Sequence, residues 1–258
     1  MCMILVAWRA HRNFPTVIAA NRDEFHARPA SVAGFWPEAA QILAGKDLLA
    51  GGTWLGMTRE GRFAALTNFR GAARRDDAPS RGLLVKQILE SQACIETTLE
   101  ELRAVGARYA GFNVIFSDGE RLAIYESVPN EGRELEAGIY GLSNHLLDTP
   151  WPKVVQAKSA LGDALETLPD TGRILTLLRD DTPAPDHELP RTGVSEAWER
   201  LLSSAFVRGA DYGTRCSTVI TVDGDLKARF EEWTWDPSGR ELSRVHFDYP
   251  IDRSGAVG

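Results

Sequence analysis

Continuous apolar runs mark out most of the chain. Met3 to Trp8 and Thr16 to Ala20 flank a turn-like Arg12-Asn13-Phe14-Pro15. Short runs bounded by turn residues read as strands. Arg62 to Asn68, Phe112 to Phe116, Leu122 to Ser127 and Ile139 to Leu142 follow; Ser217 to Val222, Leu226 to Trp233 and Ser243 to Asp248 come late. Asp118-Gly119, Asp223-Gly224 and Ser238-Gly239 separate neighbouring runs, as Gly-containing hairpin turns do. Helical spacing replaces this pattern in three blocks. One runs through Leu84, Ile88, Ile95, Leu99, Leu102 and Val105. A second, Val154, Ala157, Leu161, Leu165 and Leu168, follows the helix-opening Pro150-Trp151-Pro152, and Trp198, Leu201, Leu202 and Ala205 make the third. One-sided stripes predict helices lying with one face against a sheet. Meandering strands with helices between them predict an α+β fold of stacked sheets covered by helices, without the alternation of a doubly wound sheet.

Neither a repeat nor a composition shift divides the chain, so 1–253 reads as a single domain with 254–258 as a frayed tail. Arg70 to Arg81 and Asp180 to Pro190 read as loops within it. At 258 residues the chain can bury about 70–75% of its extended surface without staples. Lys and Arg number 29 against 36 Asp and Glu, a formal charge of −7. That balance excludes a general nucleic-acid binder, which needs a clustered basic excess. No apolar run approaches the ~18–20 residues of a transmembrane helix. The opening Met1 to Trp8 is too short for a signal peptide. Cys2, Cys94 and Cys216 show no C-x-x-C spacing, so a reducing, cytoplasmic setting is expected, with Cys94 and Cys216 as core residues.

Phosphate-loop, dinucleotide, zincin and nucleophile-elbow motifs are all missing, and the five histidines lack metal-ligand spacing. What remains is Cys2. Initiator methionine is commonly removed before a small residue, and removal of Met1 would leave a thiol and a free α-amine on one carbon. The amine's ordinary pKa, near 7.7–8.0, suits it to act as base for its own thiol. The plainer reading is a small apolar residue opening a buried strand. Asn21-Arg22-Asp23-Glu24 bears on the choice. If the first two strands pair as a hairpin, this string returns beside Cys2. Asp23 could then hold the α-ammonium and Arg22 could favour the thiolate. Taken alone, such a string is a solvated turn with a weak internal ion pair.

Met-Cys-Met-Ile-Leu, Ala20-Asn21-Arg22-Asp23-Glu24, Gly51-Gly52-Thr53-Trp54-Leu55-Gly56, Leu66-Thr67-Asn68, Gly141-Leu142-Ser143-Asn144 and Tyr212-Gly213-Thr214-Arg215 occur in that order. Across nearly the whole chain the sequence resembles the NRDE family, also called the transport and Golgi organisation 2 family. The resemblance implies an N-terminal nucleophile hydrolase-like αββα sandwich, two antiparallel sheets between helical layers. It implies Cys2 as nucleophile, Asp23 as the amine-holding carboxylate, Asn144 as oxyanion donor with Asn68 a weaker candidate, and Arg215 as a second active-site arginine. Arg22 directly precedes Asp23, whereas cysteine amidases of that superfamily place their arginine a few residues earlier.

Two functions follow as expectations. One is an N-terminal cysteine hydrolase of a non-peptide amide or thioester, needing no cofactor. The other is a carrier of haem, acyl-CoA or lipid in the same pocket, as the resemblance implies; no C-x-x-C-H haem signature occurs. A third, blander expectation is a scaffold. Trp54 reads as a wedge in a tight turn rather than a substrate platform, and His145 as a hydrogen-bonded residue rather than a ligand. Arg70, Arg74, Arg75 and Arg81, interleaved with Asp76 and Asp77, read as a solvated loop rather than an anion site.

Overall fold

The structure is a computed structural model that describes residues 2–71 and 78–253. In chain order, the first strands are β1 (Cys2–Trp8), β2 (Thr16–Phe25), β3 (Ala30–Trp36), β4 (Ala39–Asp47), β5 (Leu55–Thr58) and β6 (Phe63–Asn68). Helices α1 (Gly82–Glu90) and α2 (Ile95–Val105) precede β7 (Phe112–Ser117), β8 (Leu122–Glu126), β9 (Glu131–Leu135) and β10 (Gly138–Leu142). Then come α3 (Pro152–Leu165), α4 (Gly172–Leu178) and α5 (Glu196–Leu201), followed by β11 (Tyr212–Val222), β12 (Lys227–Trp235) and β13 (Glu241–Pro250). Among the described residues these strands form two antiparallel sheets, and the class is α+β as expected.

The chain divides into two compact units. The first comprises residues 1–28, 137–225 and 229–247; the second comprises 29–136, 226–228 and 248–258. The first unit is built on the six-stranded sheet, ordered β10-β1-β2-β11-β12-β13. β1 is buried at all seven positions, which is why it reads as an unbroken apolar run. Met3, Leu5 and Ala7 share one face with Val17, Ala19 and Val219, and this face packs on Ala157, Leu161 and Leu165 of α3 and Ile174 and Leu178 of α4. By alternation Cys2, Ile4, Val6 and Trp8 point to the opposite face. α3 starts where the sequence predicts, with Trp151 as N-cap and Pro152 in the first turn, where a missing N–H costs nothing.

The second unit is built on the seven-stranded sheet, ordered β3-β4-β5-β6-β7-β8-β9. Leu84, Val85, Ile88 and Leu89 of α1 and Ile95, Leu99 and Leu102 of α2 join Ile42, Ala64, Val114, Phe116 and Tyr125 in its core. Gly52 meets α1 backbone to backbone: a Cβ there would lie 2.4 Å from the Gly82 carbonyl carbon and 2.8 Å from the Leu83 nitrogen. Neither atom can swing aside. Gly52→Ala should therefore cost about 1–3 kcal/mol of stability, the usual range for overpacking. An unchanged urea midpoint would show that the contact is not close in solution.

Several expectations need correction. β3, β4, β5 and β9 are strands that the apolar pattern does not reveal. The third helical stripe is cut short: α5 ends at Leu201, and Trp198 is exposed. α4 was not anticipated. Cys94 is an exposed N-cap of α2 rather than a core residue. Arg70 is buried instead of solvated. Arg74, Arg75, Asp76, Asp77 and the 254–258 tail lie outside the described residues.

Candidate active site

The end of the six-stranded sheet collects chemistry-bearing residues by register. Antiparallel pairing sets Cys2 opposite Arg22 and Met3 opposite Asn21, so the two opening runs do form the expected hairpin. On the next strand Arg22 faces Cys216. On the other side of β1, Ile4 pairs with Leu142 of β10. Asn144 lies two residues beyond Leu142, in the bend that follows β10. One row therefore runs Cys2, Arg22, Cys216 across three neighbouring strands. Directly opposed residues point to the same face.

The hydroxyl of Ser143 lies 3.3 Å from the Cys2 carbonyl oxygen and 3.4 Å from Asn144 Oδ1, tying the two segments together. Asn144 is fully buried and Cys2 is 8% exposed. Burial pushes the Cys2 thiol above its ordinary pKa, and Asp23 pushes the same way; the N-terminal ammonium, then Arg22 and the backbone N–H of Asp23, oppose them. A buried thiol of this kind is a poor nucleophile until something removes its proton.

Asp23 is held from the neighbouring strand. Thr214 donates its hydroxyl to Asp23 Oδ1 at 2.7 Å, and Tyr212 donates to the Asp23 carbonyl at 2.8 Å. Thr214 also accepts from the Val207 N–H at 2.8 Å. Arg22 Nη2 lies 4.0 Å from Glu24. Arg215 occupies the irregularity between Thr214 and Cys216 in β11, and its Nη1 donates to the carbonyls of Phe25 and Arg28 at 2.9 and 3.0 Å. Burial and then the like charge of Arg22 lower its pKa. Its visible work is to brace the chain leaving β2. Asn68 ends β6 in the second unit, opposite Phe112. Burial, then Glu232, drives the Cys216 thiol well above the ordinary range.

Sequence reasoning gave no role to Ser143, Tyr212, Thr214 or Asn21. Asn21 is completely buried on the helix-facing side of β2. Its amide donates to the carbonyls of Leu178 and Ala205 at 2.7 and 2.8 Å, and its oxygen accepts from Ser217, which in turn accepts from the Trp235 indole. The available signal was an amide placed between an apolar run and charged residues. His145 donates to or accepts from Thr149 at 2.9 Å, and no metal-ligating cluster occurs among the described residues.

The sequence profile of one family, Transport and Golgi organisation 2, matches residues 1–237. The chain belongs to that family. A Transport and Golgi organization protein 2 homolog from Bos taurus is 39% identical over 256 residues, covering 90% of this chain and 91% of that protein. The Homo sapiens homolog is 36% identical over 238 residues, covering 84% and 85%. Among solved structures, the C2A mutant of conjugated bile acid hydrolase from Clostridium perfringens overlays with a TM-score of 0.49 at 12% identity, covering 96% of this chain and 92% of that one. No helix of the described residues is long and apolar enough to cross a membrane.

Proposed function

We propose that this family member is an N-terminal cysteine hydrolase of a non-peptide amide or thioester. The observation that carries the reading is the pairing of Cys2 with Arg22, with Asp23 next to Arg22 on the same strand and the buried Ser143-Asn144 segment hydrogen-bonded to the Cys2 carbonyl. Removal of Met1 frees the α-amine of Cys2. The thiol then attacks the substrate carbonyl carbon; a C–S bond forms, the carbonyl electron pair moves to oxygen, and the amine takes the thiol proton. Asn144 Nδ2 is the donor for the oxyanion, an interaction commonly worth ~2.7–4 kcal/mol. Collapse expels the amine or thiol leaving group, which carries off that proton. Water, deprotonated by the same α-amine, attacks the thioester, and the carboxylic acid leaves as Cys2 regains its thiol. Asp23 holds the amine in place; Arg22 offsets the negative charge on sulfur.

The test is trapping. Protein with a processed N-terminus, checked by intact mass, is incubated with a panel of amides and thioesters, quenched in acid and mapped by peptide mass. An acyl adduct on Cys2 that decays as acid product appears is the expected result. Product formed with acylation at some other residue would overturn the assignment.

A second reading, a carrier of haem, acyl-CoA or lipid, is favoured by one observation: the Cys2 thiol is buried and pushed away from ionisation. It predicts saturable cargo binding that survives Cys2→Ala, with no acylation of Cys2.

A further inference from the structure

On the helix-facing side of the six-stranded sheet an open groove of about 760 Å³ runs between α3 and α4. That volume falls within the range of small-molecule sites. Its floor is low in relief, formed by Ala157, Ala160 and Ala164 of α3, Leu177 of α4, and Ala205, of which Ala160 is half-buried and the other four are buried at the bottom. A floor without protruding side chains fits a flat body.

Charge surrounds that floor. Lys153, Arg173, Arg179 and Arg208 face Asp163, Asp180 and Asp181, leaving one net positive charge in a chain of net −7. Three of the cations are held in place. Arg208 pairs with Asp181 at 2.8 Å and donates to the Ser238 carbonyl at 2.9 Å. Arg179 lies over the Trp235 ring at 4.6 Å and donates to the Gly239 carbonyl at 3.2 Å. Lys153, buried, donates to the Leu202 carbonyl at 2.8 Å. Arg173, exposed at the first turn of α4, makes no hydrogen bond or ion pair among the described residues. Guanidinium forks match carboxylate oxygens two to two, while the three carboxylates repel a doubly charged group more than a singly charged one.

We propose that this groove binds a monocarboxylate carried on a flat apolar body, at a site separate from Cys2. The groove lies behind the sheet face that carries Met3 and Asn21, whereas Cys2 points to the other face. The proposal does not depend on the hydrolase reading.

The probe is 1-pyrenebutyrate, titrated by fluorescence, with 2-naphthoate, its methyl ester and 2-naphthyl phosphate as competitors. The expected result is saturable binding of one probe per chain, displaced by 2-naphthoate, with ester and phosphate weaker by about tenfold or more. Arg173→Glu, an exposed change, should weaken binding by about tenfold. Ala160→Trp, which fills the floor, should abolish it, with circular dichroism confirming the fold. Cys2→Ala should leave the titration unchanged. Non-saturable binding, an ester that competes as well as the acid, full affinity in Arg173→Glu, or loss in Cys2→Ala would each overturn the proposal.

Discussion

Hydrolysis should fall to background in Cys2→Ala, and by about 10²–10⁴-fold when the same thiol sits behind an extra residue. The second result is the more telling. Burial holds the Cys2 thiol above its ordinary pKa, so little thiolate exists at neutral pH and a base has to generate it. In the proposed mechanism that base is the α-amine on the same carbon, with an ordinary pKa near 7.7–8.0. An alanine inserted between Met1 and Cys2 would keep the thiol, Arg22, Asp23 and Asn144 while turning the amine into an amide. The measurement is kcat/KM for the natural, inserted and Cys2→Ala proteins on whichever substrate acylates Cys2. An inserted protein within tenfold of the natural one would remove the amine from the mechanism. Asp23 supplies a check on sign. A carboxylate beside the α-ammonium favours the charged form, so Asp23→Asn lowers the amine's pKa and shifts the acidic limb of the pH–rate profile to lower pH.

How much of this site was legible depended on what burial does to each residue type. β1 and the first half of β2 announced themselves because strands buried on both faces are apolar throughout. The remainder of β2, Asn21 to Phe25, is just as regular but consists mainly of polar residues. Asn21, Arg22 and Asp23 are buried because β1 and β11 supply partners on both sides, and pairing across some 190 residues leaves no trace in local hydropathy. The hairpin geometry did bring Arg22 beside Cys2 by physical argument alone. Asn144 came from resemblance, since nothing local marks a Ser-Asn pair in the bend after a strand as part of a site. β3 to β5 escaped because small and polar residues, a glycine in each, break up their apolar runs; the seven-stranded sheet, not intrinsic propensity, makes them strands. Cys94 failed in the opposite direction. Read as a core residue beside the apolar stripe, it stands one residue before the helix, where the periodicity no longer applies.

Asn21→Leu should remove about 3–6 kcal/mol of stability, a large share of the 5–15 kcal/mol typical of folded proteins. The leucine has the same branching and number of side-chain heavy atoms, is bulkier, and makes none of the three bonds. The carbonyls of Leu178 and Ala205 lose their donor and the Ser217 hydroxyl loses its acceptor, all within a fully buried setting. Each buried polar group stranded in this way costs about 1–3 kcal/mol. Asn21→Asp separates the hydrogen bonds from the packing. A carboxylate would point its charge at two carbonyl oxygens, so folding raises its pKa above the ordinary value near 3.9. With a raised folded-state pKa, the protonated form is favoured in the native protein. The penalty is therefore small below about pH 4 and grows as pH rises through and beyond that value. Urea midpoints for both variants at pH 4 and pH 7, each referred to the natural protein at the same pH, make the distinction. Asn21→Leu should lose the same stability at both pH values, while Asn21→Asp should lose markedly more at pH 7. Equal losses for Asn21→Asp at the two pH values would mean that solvent reaches the side chain and that the strand end carrying Arg22 and Asp23 is not clamped to α4 through this amide.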